Sequence, residues 1–417
     1  MNYIEKILAM HSGKKEVKPG EIINVKLDYI MSNDATTTLA IDIFKNQLQC
    51  EEVTDPEKLV VVMDHYTPST SIEAANTHMK MRNFAKEQGI DFVYDCKGVC
   101  HQIMMEKHVN PGNLVIGADS HTCTYGAIGA LSTGMGSTDI AIAWSEGEVW
   151  MKVPETIRFI VEGKWHSGVY SKDLILKIIK DITVSGATYK AMQFEGSAIE
   201  SLSISGRTTI CNMAIEAGAK FAYISPDRKT DEFLSENGRG DYVKIVPDEE
   251  ANYIKTYKYN VNELSPQIAY PSSVGNVMDI KKFEGLKVDE IFLGACTNGR
   301  LEDIEIAANI LKGKKVSKNT RFIVTPASND VYINAIKAGY IEILVEAGGI
   351  ISTPGCSACF GGSIGVVGKK ERLLSTANRN FVGRVGASDS EIYLGSPAVI
   401  AASAISGKIT DPRRILI

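Results

Sequence analysis

Apolar runs of strand length alternate with amphipathic stretches of helical period along the first third of the chain. KLVVVMDH at 58–65 and GNLVIGADSHT at 112–122 are short, apolar and rich in β-branched residues, so each predicts a buried strand. Between them, the apolar positions of 71–89 follow a helical spacing that ends at Gly89. This order of elements indicates an α/β unit.

The same alternation returns in the last third of the chain. DEIFLGACTNGR at 289–300 and TRFIVTPAS at 320–328 predict strands, and the first is followed by a predicted helix over 301–313. Strands that alternate with helices connect in parallel. The sequence therefore predicts an α/β fold with largely parallel sheets.

Residues capable of chemistry follow several of these predicted strands directly. Asp64 and His65 end the first, Asp119 to His121 end the second, and Cys296 follows the apolar run of DEIFLGACTNGR. Open α/β sheets bind their ligands at the carboxyl ends of the strands. We therefore expect the functional site to be built from these strand ends.

A polar, proline-marked and weakly periodic segment occupies residues 240–285 and is typical of a linker or inter-domain crossing. We place the last domain boundary in this segment, and the chain as a whole is predicted to have three domains. These are an α/β domain over 1–150, a second over 151–280 that includes the linker, and a third over 281–417.

Composition narrows the function classes. The chain has 417 residues, 44% of them hydrophobic and 23% charged, with a formal net charge of −5. An acidic balance argues against a broad surface for nucleic acid or an anionic membrane. Neither a signal peptide nor a transmembrane run is apparent, so the eight cysteines are expected to be reduced thiols in the cytoplasm.

Two cysteines, Cys356 and Cys359, form a CxxC in the glycine-rich stretch STPGCSACFGGSIG. A zinc site that also used Cys96, Cys100 and His101 is one interpretation, although a second CxxC is lacking. A thioredoxin-like dithiol is another, although that motif opens a helix and this stretch is typical of a loop. The third interpretation, buried small side chains, is the default for two further cysteines, Cys50 and Cys211.

Cys296 adds a third sulfur, in the turn after an apolar strand. Three thiolates suit an iron–sulfur cluster in which one iron has no protein ligand. Such an iron can act as a Lewis acid on a hydroxyl group. The cysteines therefore also support a catalytic cluster.

Three of the seven histidines stand in settings suited to proton transfer: His65, His101 and His121. Two of them lie beside or near an aspartate at a strand end. A neighbouring carboxylate raises the pKa of an imidazole and fixes its orientation. These histidines are candidate acids or bases.

Several segments occur in one order over nearly the whole chain: DHYTP, CHQIMMEKHVNPGNLVIGADSHTCTYGAIGA, TICNMAIEAGA, GACTNGR, PGCSAC and STANRNFVGRVG. Together they resemble the aconitase superfamily. The resemblance implies three α/β domains around a central iron–sulfur cluster, without the swivelling fourth domain of the family. It also implies that Cys296, Cys356 and Cys359 hold one [4Fe-4S] cluster, with one iron free to bind substrate.

The resemblance also implies roles for residues around the cluster. The acid–base pairs would be Asp64 with His65, Asp119 with His101, and His121 with Glu216. The substrate-binding residues would be Ser120, Asn212, Asn378, Arg379 and Arg384. The two arginines can bind carboxylates in a bidentate manner.

The implied activity is that of a hydro-lyase acting on a small hydroxy di- or tricarboxylic acid. 3-Isopropylmalate is the expected substrate and homoaconitate the alternative. Ala295, Ser357, Ala358 and Thr38 depart from the usual family residues, which leaves 2,3-dimethylmalate and citraconate types open. A different class also remains, since aconitase relatives that lose their cluster can bind RNA.

The family's base is a serine in the string GSSRE, and this string does not occur in the 417 residues. The nearest, PSSVG at 271–275, lacks the arginine. We therefore expect a small partner subunit that carries the swivelling domain and the serine base. Neither nucleic acid nor a membrane is an expected partner.

Overall fold

The computed structural model describes residues 1–416, which form three sheets with parallel cores and one two-stranded ribbon. Each large sheet takes its strands from one continuous part of the chain. The predicted α/β class is confirmed, because helices connect parallel strands in all three sheets.

The first sheet has five parallel strands in the order β4-β3-β2-β5-β6, and β1 pairs antiparallel with β7 beside it. Its strands are β1 (Ile22–Lys26), β2 (Tyr29–Asn33), β3 (Leu59–Met63), β4 (Val93–Asp95), β5 (Leu114–Gly117), β6 (Leu131–Gly134) and β7 (Glu148–Lys152). Its helices are α1 (Tyr3–Ser12), α2 (Thr37–Asp42), α3 (Ile72–Glu87), α4 (Cys100–Lys107) and α5 (Ser137–Glu146).

The second sheet has four parallel strands in the order β10-β9-β8-β11. They are β8 (Thr156–Glu162), β9 (Ala191–Glu195), β10 (Phe221–Ile224) and β11 (Lys255–Asn260). Its helices are α6 (Ser171–Ile182), α7 (Ser197–Ser201), α8 (Ile204–Met213) and α9 (Arg228–Glu236).

The third sheet has seven strands in the order β13-β12-β18-β17-β14-β15-β16, of which β12 and β13 are antiparallel additions at one edge. They are β12 (Gln267–Ala269), β13 (Val277–Asp279), β14 (Glu290–Leu293), β15 (Arg321–Val324), β16 (Ile350–Ile351), β17 (Arg372–Ser375) and β18 (Glu391–Leu394). Its helices are α10 (Leu301–Leu311), α11 (Asn329–Lys337), α12 (Tyr340–Ala347) and α13 (Pro397–Ser406).

Short non-α segments link these elements. They are the π segment Ile43–Gln47 and the 3₁₀ segments Pro56–Lys58, Ser120–Ile128, Ala214–Ala217, Val261–Glu263, Ile280–Lys282, Ser357–Cys359 and Pro412–Arg414.

The segment 240–285, which the sequence predicts as a linker, is irregular only in its first part. Residues 240–254 carry no helix or strand, whereas β11 adds an edge strand to the second sheet. In β11 only the two tyrosines are partly buried, and exposed polar residues stand between and around them. The strand therefore has the usual period of two, but the sequence does not reveal it because apolar residues are lacking. The third sheet already begins at Gln267, before the predicted boundary at 280.

One hydrophobic cluster joins all three sheets. It contains Val60 of β3, Phe159 of β8 and Phe292 of β14, and it extends to the sulfurs of Cys356 and Cys359. Protein interiors are close-packed, so a buried segment has little freedom to move relative to its neighbours. The cysteine-bearing loop is therefore held against elements of the other sheets.

No helix among residues 1–416 combines the length and the apolar character that crossing a bilayer requires.

His11, at the end of α1, provides a pH-dependent contact away from the strand ends. Its Nδ1 lies 2.8 Å from the carbonyl oxygen of Ile7 and its Nε2 lies 2.8 Å from Asp28 Oδ2. Both partners only accept hydrogen bonds, so the arrangement is best satisfied by a charged imidazolium. Burial opposes that charge, but the hydrogen bond to Asp28 raises the pKa of His11.

The variant His11→Gln is therefore expected to lower the free energy of unfolding by about 1 kcal/mol at pH 5.5, a value discounted for the partly exposed carboxylate. A raised pKa gives stability that is complete below the unfolded value of about 6.5 and is lost as pH rises through the folded value. Urea midpoints at pH 5.5 and 9 measure the difference, with the exposed His166→Gln as control. An equal loss at both pH values would contradict the charged contact.

Candidate active site

The strand ends of the first and third sheets face one cavity. In the first sheet the chain order reverses between β2 and β5, and in the third between β14 and β17. Such reversals separate the loops that follow neighbouring strands and leave a crevice for a ligand. The loops after these strands enclose a cavity of about 170 Å³.

Eleven of the predicted site residues line this cavity: His65, His101, Asp119, Ser120, His121, Cys296, Cys356, Cys359, Asn378, Arg379 and Arg384. The other three, Asp64, Asn212 and Glu216, lie behind them in hydrogen-bond contact. Residues that are far apart in sequence are thus brought together as expected from the strand ends.

All three predicted cluster cysteines are buried, and each is a free thiol. Cys296 follows β14, whereas Cys356 precedes and Cys359 ends a single 3₁₀ turn in the loop after β16. The Cys356 amide donates to the carbonyl oxygen of Asp64 at 2.8 Å, which ties this loop to the first sheet. Ala295 and Ser357, next to these cysteines, adopt the left-handed region with φ of 69° and 53°.

The sulfurs are surrounded by hydrogen-bond donors. Asn378 Nδ2 lies 3.2 Å from Cys296 Sγ, and Arg384 Nη2 lies 3.8 Å from Cys359 Sγ. A hydrogen bond from Cys356 lowers the pKa of Cys359 well below its usual range, with Arg384 adding to this effect against burial. The loop therefore favours at least one thiolate before any metal is bound.

The spacing of the sulfurs distinguishes a cluster from a single ion. A tetrahedral zinc with bonds of about 2.3 Å holds its sulfurs roughly 3.8 Å apart. Within the described residues, only Asp34, Asp64 and His65 bring three potential ligand atoms within 4.8 Å of one another, so at least one pair of the three sulfurs is more than 4.8 Å apart. Three buried thiols that do not all reach one ion fit a cluster whose different irons take different cysteines.

The rival interpretations of the cysteines find less support. Cys96 is half-buried with its sulfur 3.3 Å from Asp95 Oδ1, and it forms no such three-residue metal group with Cys100 and His101. Cys356 and Cys359 lie in a loop and do not open an α-helix, unlike a thioredoxin dithiol.

The sequence predicted that Cys50 and Cys211 are both buried small side chains, and this holds for only one of them. Cys211 is fully buried in α8, as expected. The expectation is wrong for Cys50, which is half-buried, because it follows Gln49 in a surface turn where φ is 56°.

His65 is held by two carboxylates, and one of them, Asp34, was not among the residues predicted from the sequence. Its Nδ1 lies 2.7 Å from Asp64 Oδ1. Asp34, directly after β2, accepts hydrogen bonds from the backbone amides of His65 and Tyr66, each at 2.9 Å, and from His78 Nε2 at 2.8 Å. These mutual contacts, rather than an ion, account for the close group of Asp34, Asp64 and His65. The rule that selected Asp64, a polar residue just past a strand, also applies to Asp34.

The electrostatics of this group favour a protonated imidazole. Burial opposes the charge, but Asp64, followed by Asp119 and Asp34, raises the pKa of His65 to about 10. Because Nδ1 is engaged by Asp64, Nε2 is the nitrogen available to the cavity, where it lies 3.7 Å from Asp119 Oδ2.

Asp119 connects two further histidines. His101 Nε2 lies 2.9 Å from Asp119 Oδ1, and the same oxygen accepts from the backbone amide of His121 at 2.8 Å. Burial opposes ionisation, yet the two histidines lower the pKa of Asp119 well below its usual range. Tyr125 OH lies 3.1 Å from His101 Nδ1 and occupies the other side of that ring.

Glu216 links His121 to an arginine. His121 Nε2 lies 2.8 Å from Glu216 Oε1, and Arg379 Nε donates to the same oxygen at 2.8 Å. Burial raises the pKa of Glu216 but His121 and Arg379 outweigh it, so the net shift is downward. Burial likewise opposes charge on His121, whereas Asp119 and Glu216 raise its pKa.

Asn212 lies deeper than its predicted role in substrate binding requires. Its Oδ1 accepts from Asn378 Nδ2 and Thr297 Oγ1, both at 3.2 Å, and its Nδ2 donates to Thr124 Oγ1 at 2.9 Å. α8 ends at Met213, and a 3₁₀ turn follows. Asn212 therefore positions Asn378.

Phe360 lines the cavity but was not among the residues predicted from the sequence. Its ring packs edge-on against His65 with centroids 5.1 Å apart, and the Arg384 guanidinium lies 5.7 Å from its centroid. An aromatic ring directly after the second CxxC cysteine was the available signal. Phe360 covers one side of the cavity with apolar surface.

The α/β fold and the cavity residues together define a class of protein. Comparison with known sequences identifies that class. The sequence profile of the Aconitase family (aconitate hydratase) matches residues 5–285 and 281–407. The chain belongs to the aconitase family, and the resemblance seen in the motifs is confirmed.

Proteins that are similar to this chain over its whole length share one description. The chain is 49% identical over 421 residues to "3-isopropylmalate dehydratase large subunit 1" of Pyrococcus furiosus, covering all of this chain and 99% of that protein. It is 49% identical over 424 residues to "Probable 3-isopropylmalate dehydratase large subunit" of Methanosarcina mazei, covering all of both chains. The identity to "3-isopropylmalate dehydratase large subunit" of Halothermothrix orenii is 46% over 419 residues, again covering all of both chains.

Proposed function

We propose that this chain is the large subunit of a [4Fe-4S]-dependent hydro-lyase that interconverts 2- and 3-isopropylmalate in the cytoplasm, as a step of leucine biosynthesis. The observation that carries the proposal is the shared cavity: three buried thiols, three histidine–carboxylate contacts and two arginines converge on it. The names of the full-length relatives support the choice of substrate.

Cys296, Cys356 and Cys359 would hold the cluster, since they are buried and spread too widely for one tetrahedral ion. When bound, the cluster supplies Lewis acidity at the iron that lacks a protein ligand. Asn378 and Arg384 donate toward the sulfurs and stabilise the thiolate form that ligation requires.

His65 is proposed as the proton donor to the departing hydroxyl group. Dehydration removes a hydroxide from one carbon and a proton from its neighbour, so the hydroxide needs a proton to leave as water. The protonated His65 ring is fixed by Asp64 at Nδ1, which leaves Nε2 to donate into the cavity. In rehydration at the other carbon, the same nitrogen takes a proton from water.

The remaining residues bind and orient the substrate. Arg379 and Arg384 line the cavity and can pair with the two carboxylates, while Ser120 and Asn378 supply polar contacts. Asp119 with His101, and Glu216 with His121, keep fixed charges around the reacting carbons. The base that removes the carbon-bound proton is proposed to come from a small subunit.

The proposal is tested by anaerobic reconstitution followed by substrate assays with the small subunit present. The protein should hold about four irons and show broad visible absorption, as expected for one cubane cluster. Turnover should be highest with isopropylmalate when it is compared with homoaconitate, citraconate and 2,3-dimethylmalate. One zinc and no iron would contradict the cluster, and preferred turnover of homoaconitate or 2,3-dimethylmalate would reassign the substrate.

A further inference from the structure

Lys172 is a fully buried lysine that the proposed chemistry does not use. It lies in the first turn of α6, with 0% of its surface exposed. Lysine is almost never buried without a partner, because moving its ammonium group out of water costs several kcal/mol. Its position therefore requires a compensating interaction.

The ammonium group contacts the loop that carries the cavity residue Asn378. Lys172 Nζ donates to the carbonyl oxygens of Thr376 and Ala377, both at 2.7 Å. These two residues connect the end of β17 to Asn378 and Arg379. A helix of the second α/β unit thus holds a loop of the third sheet one peptide away from the side chain that contacts Cys296.

The adjacent carboxylate of Asp173 is occupied elsewhere. Its oxygens accept from the backbone amides of Tyr170 at 2.9 Å and Gln267 at 2.8 Å. The direct partners of Lys172 are neutral carbonyl groups, which cannot offset the cost of a buried charge by themselves. Burial accordingly lowers the pKa of Lys172 to about 7, while the sulfurs of Cys296 and Cys359 oppose the shift.

The cost of burying the Lys172 charge falls once those sulfurs are thiolates bound to iron. Negative charge near a buried ammonium group stabilises both, since the interior screens the interaction weakly. Net charge and hydrogen bonds near the sulfurs are also what set the reduction potential of an iron–sulfur cluster.

We propose, building on the cluster assigned above, that Lys172 is a positioning and charge-compensating residue of the iron–sulfur site. Its ammonium group holds the carbonyls of Thr376 and Ala377 so that Asn378 faces Cys296, and its charge stabilises the thiolates of Cys296 and Cys359. The site thus extends to a side chain that never reaches the cavity.

The test compares Lys172→Met with wild type after anaerobic reconstitution, with Lys177→Met as control. Lys177 lies on the same helix but is only partly buried and is paired with Asp181. Loss of iron to a chelator should be at least about tenfold faster in Lys172→Met, the usual cost of losing an outer partner of a metal site. The cluster's reduction potential should become more negative, because the added electron loses a nearby positive charge. Lys177→Met should match wild type in both measurements.

A merely structural role would lower the melting temperature of the cluster-free protein without changing iron loss or potential, and that result would overturn the inference. If Lys172→Met does not fold, Lys172→Arg and Lys172→Gln replace it: the arginine variant should keep the potential and the glutamine variant should shift it. Equal potentials in these two would also overturn the inference. A wild-type protein that takes up no iron would instead refute the proposed function, on which the role of Lys172 rests.

Discussion

Replacing Cys356 with serine is expected to abolish turnover while the protein remains folded. The variant removes one of three buried thiols that line the cavity, and a hydroxyl is a poor replacement for a thiolate on iron. Lewis acidity contributes several kcal/mol to such reactions, so its loss corresponds to at least about a thousandfold in kcat. Iron content should fall well below the four atoms expected per chain in the reconstituted wild-type protein.

Cys211→Ser is the matched control, because Cys211 is equally buried but lies outside the cavity. A buried hydroxyl there costs roughly 1–3 kcal/mol of stability, yet iron content and turnover should remain. Iron and turnover are measured on folded protein, with circular dichroism as the check on folding. Unchanged dehydratase activity in Cys356→Ser would refute a catalytic cluster.

Activity is also expected to require a second chain. The reconstituted large subunit alone should show no turnover above background, because the serine base expected from the family motif is absent from its sequence. Adding the small subunit should restore turnover and saturate at a fixed ratio of the two chains. A site completed at an interface needs a stable one, so the complex should bury at least a standard interface of roughly 1,600 Å².

The control is the small subunit alone, which should be inactive because it lacks the three cysteines. Full activity of the large chain by itself would show that the base lies in this chain. Ser273 would then be the first candidate, since it lines a second cavity with Glu216 and Arg379.

The local pattern of apolar and polar residues was sufficient to predict the class of fold and to select the candidate residues. Buried strands such as β3 and β14 are short apolar runs, and their boundaries follow from the polar residues that end them. Polar residues at strand ends mark the ligand side of a parallel sheet, which is why Asp64, Asp119 and Cys296 could be selected. The family motifs then supplied pairings that spacing alone does not specify.

Other features were hidden because they depend on partners distant in the chain. The sequence of β11 has no apolar run, since only its two tyrosines are partly buried, and it forms a strand because β8 provides an edge to pair with. Asp34 gains its importance from His78 and from backbone amides of the neighbouring loop. The burial of Cys50 was predicted wrongly, since no local feature of the sequence distinguishes a half-buried cysteine from a buried one.

The sequence by itself determined that this is an α/β protein of the aconitase family, with Asp64, His65, Asp119, His121 and Cys296 at strand ends. Only the tertiary structure decided which of these face the cavity: Glu216 joins His121 to Arg379, Asn212 lies behind Asn378, and Lys172 donates to the loop that leads into Asn378. The physical reason is that strand and helix patterns arise from neighbouring residues. The burial and pairing of a charge depend on groups that may be hundreds of positions away.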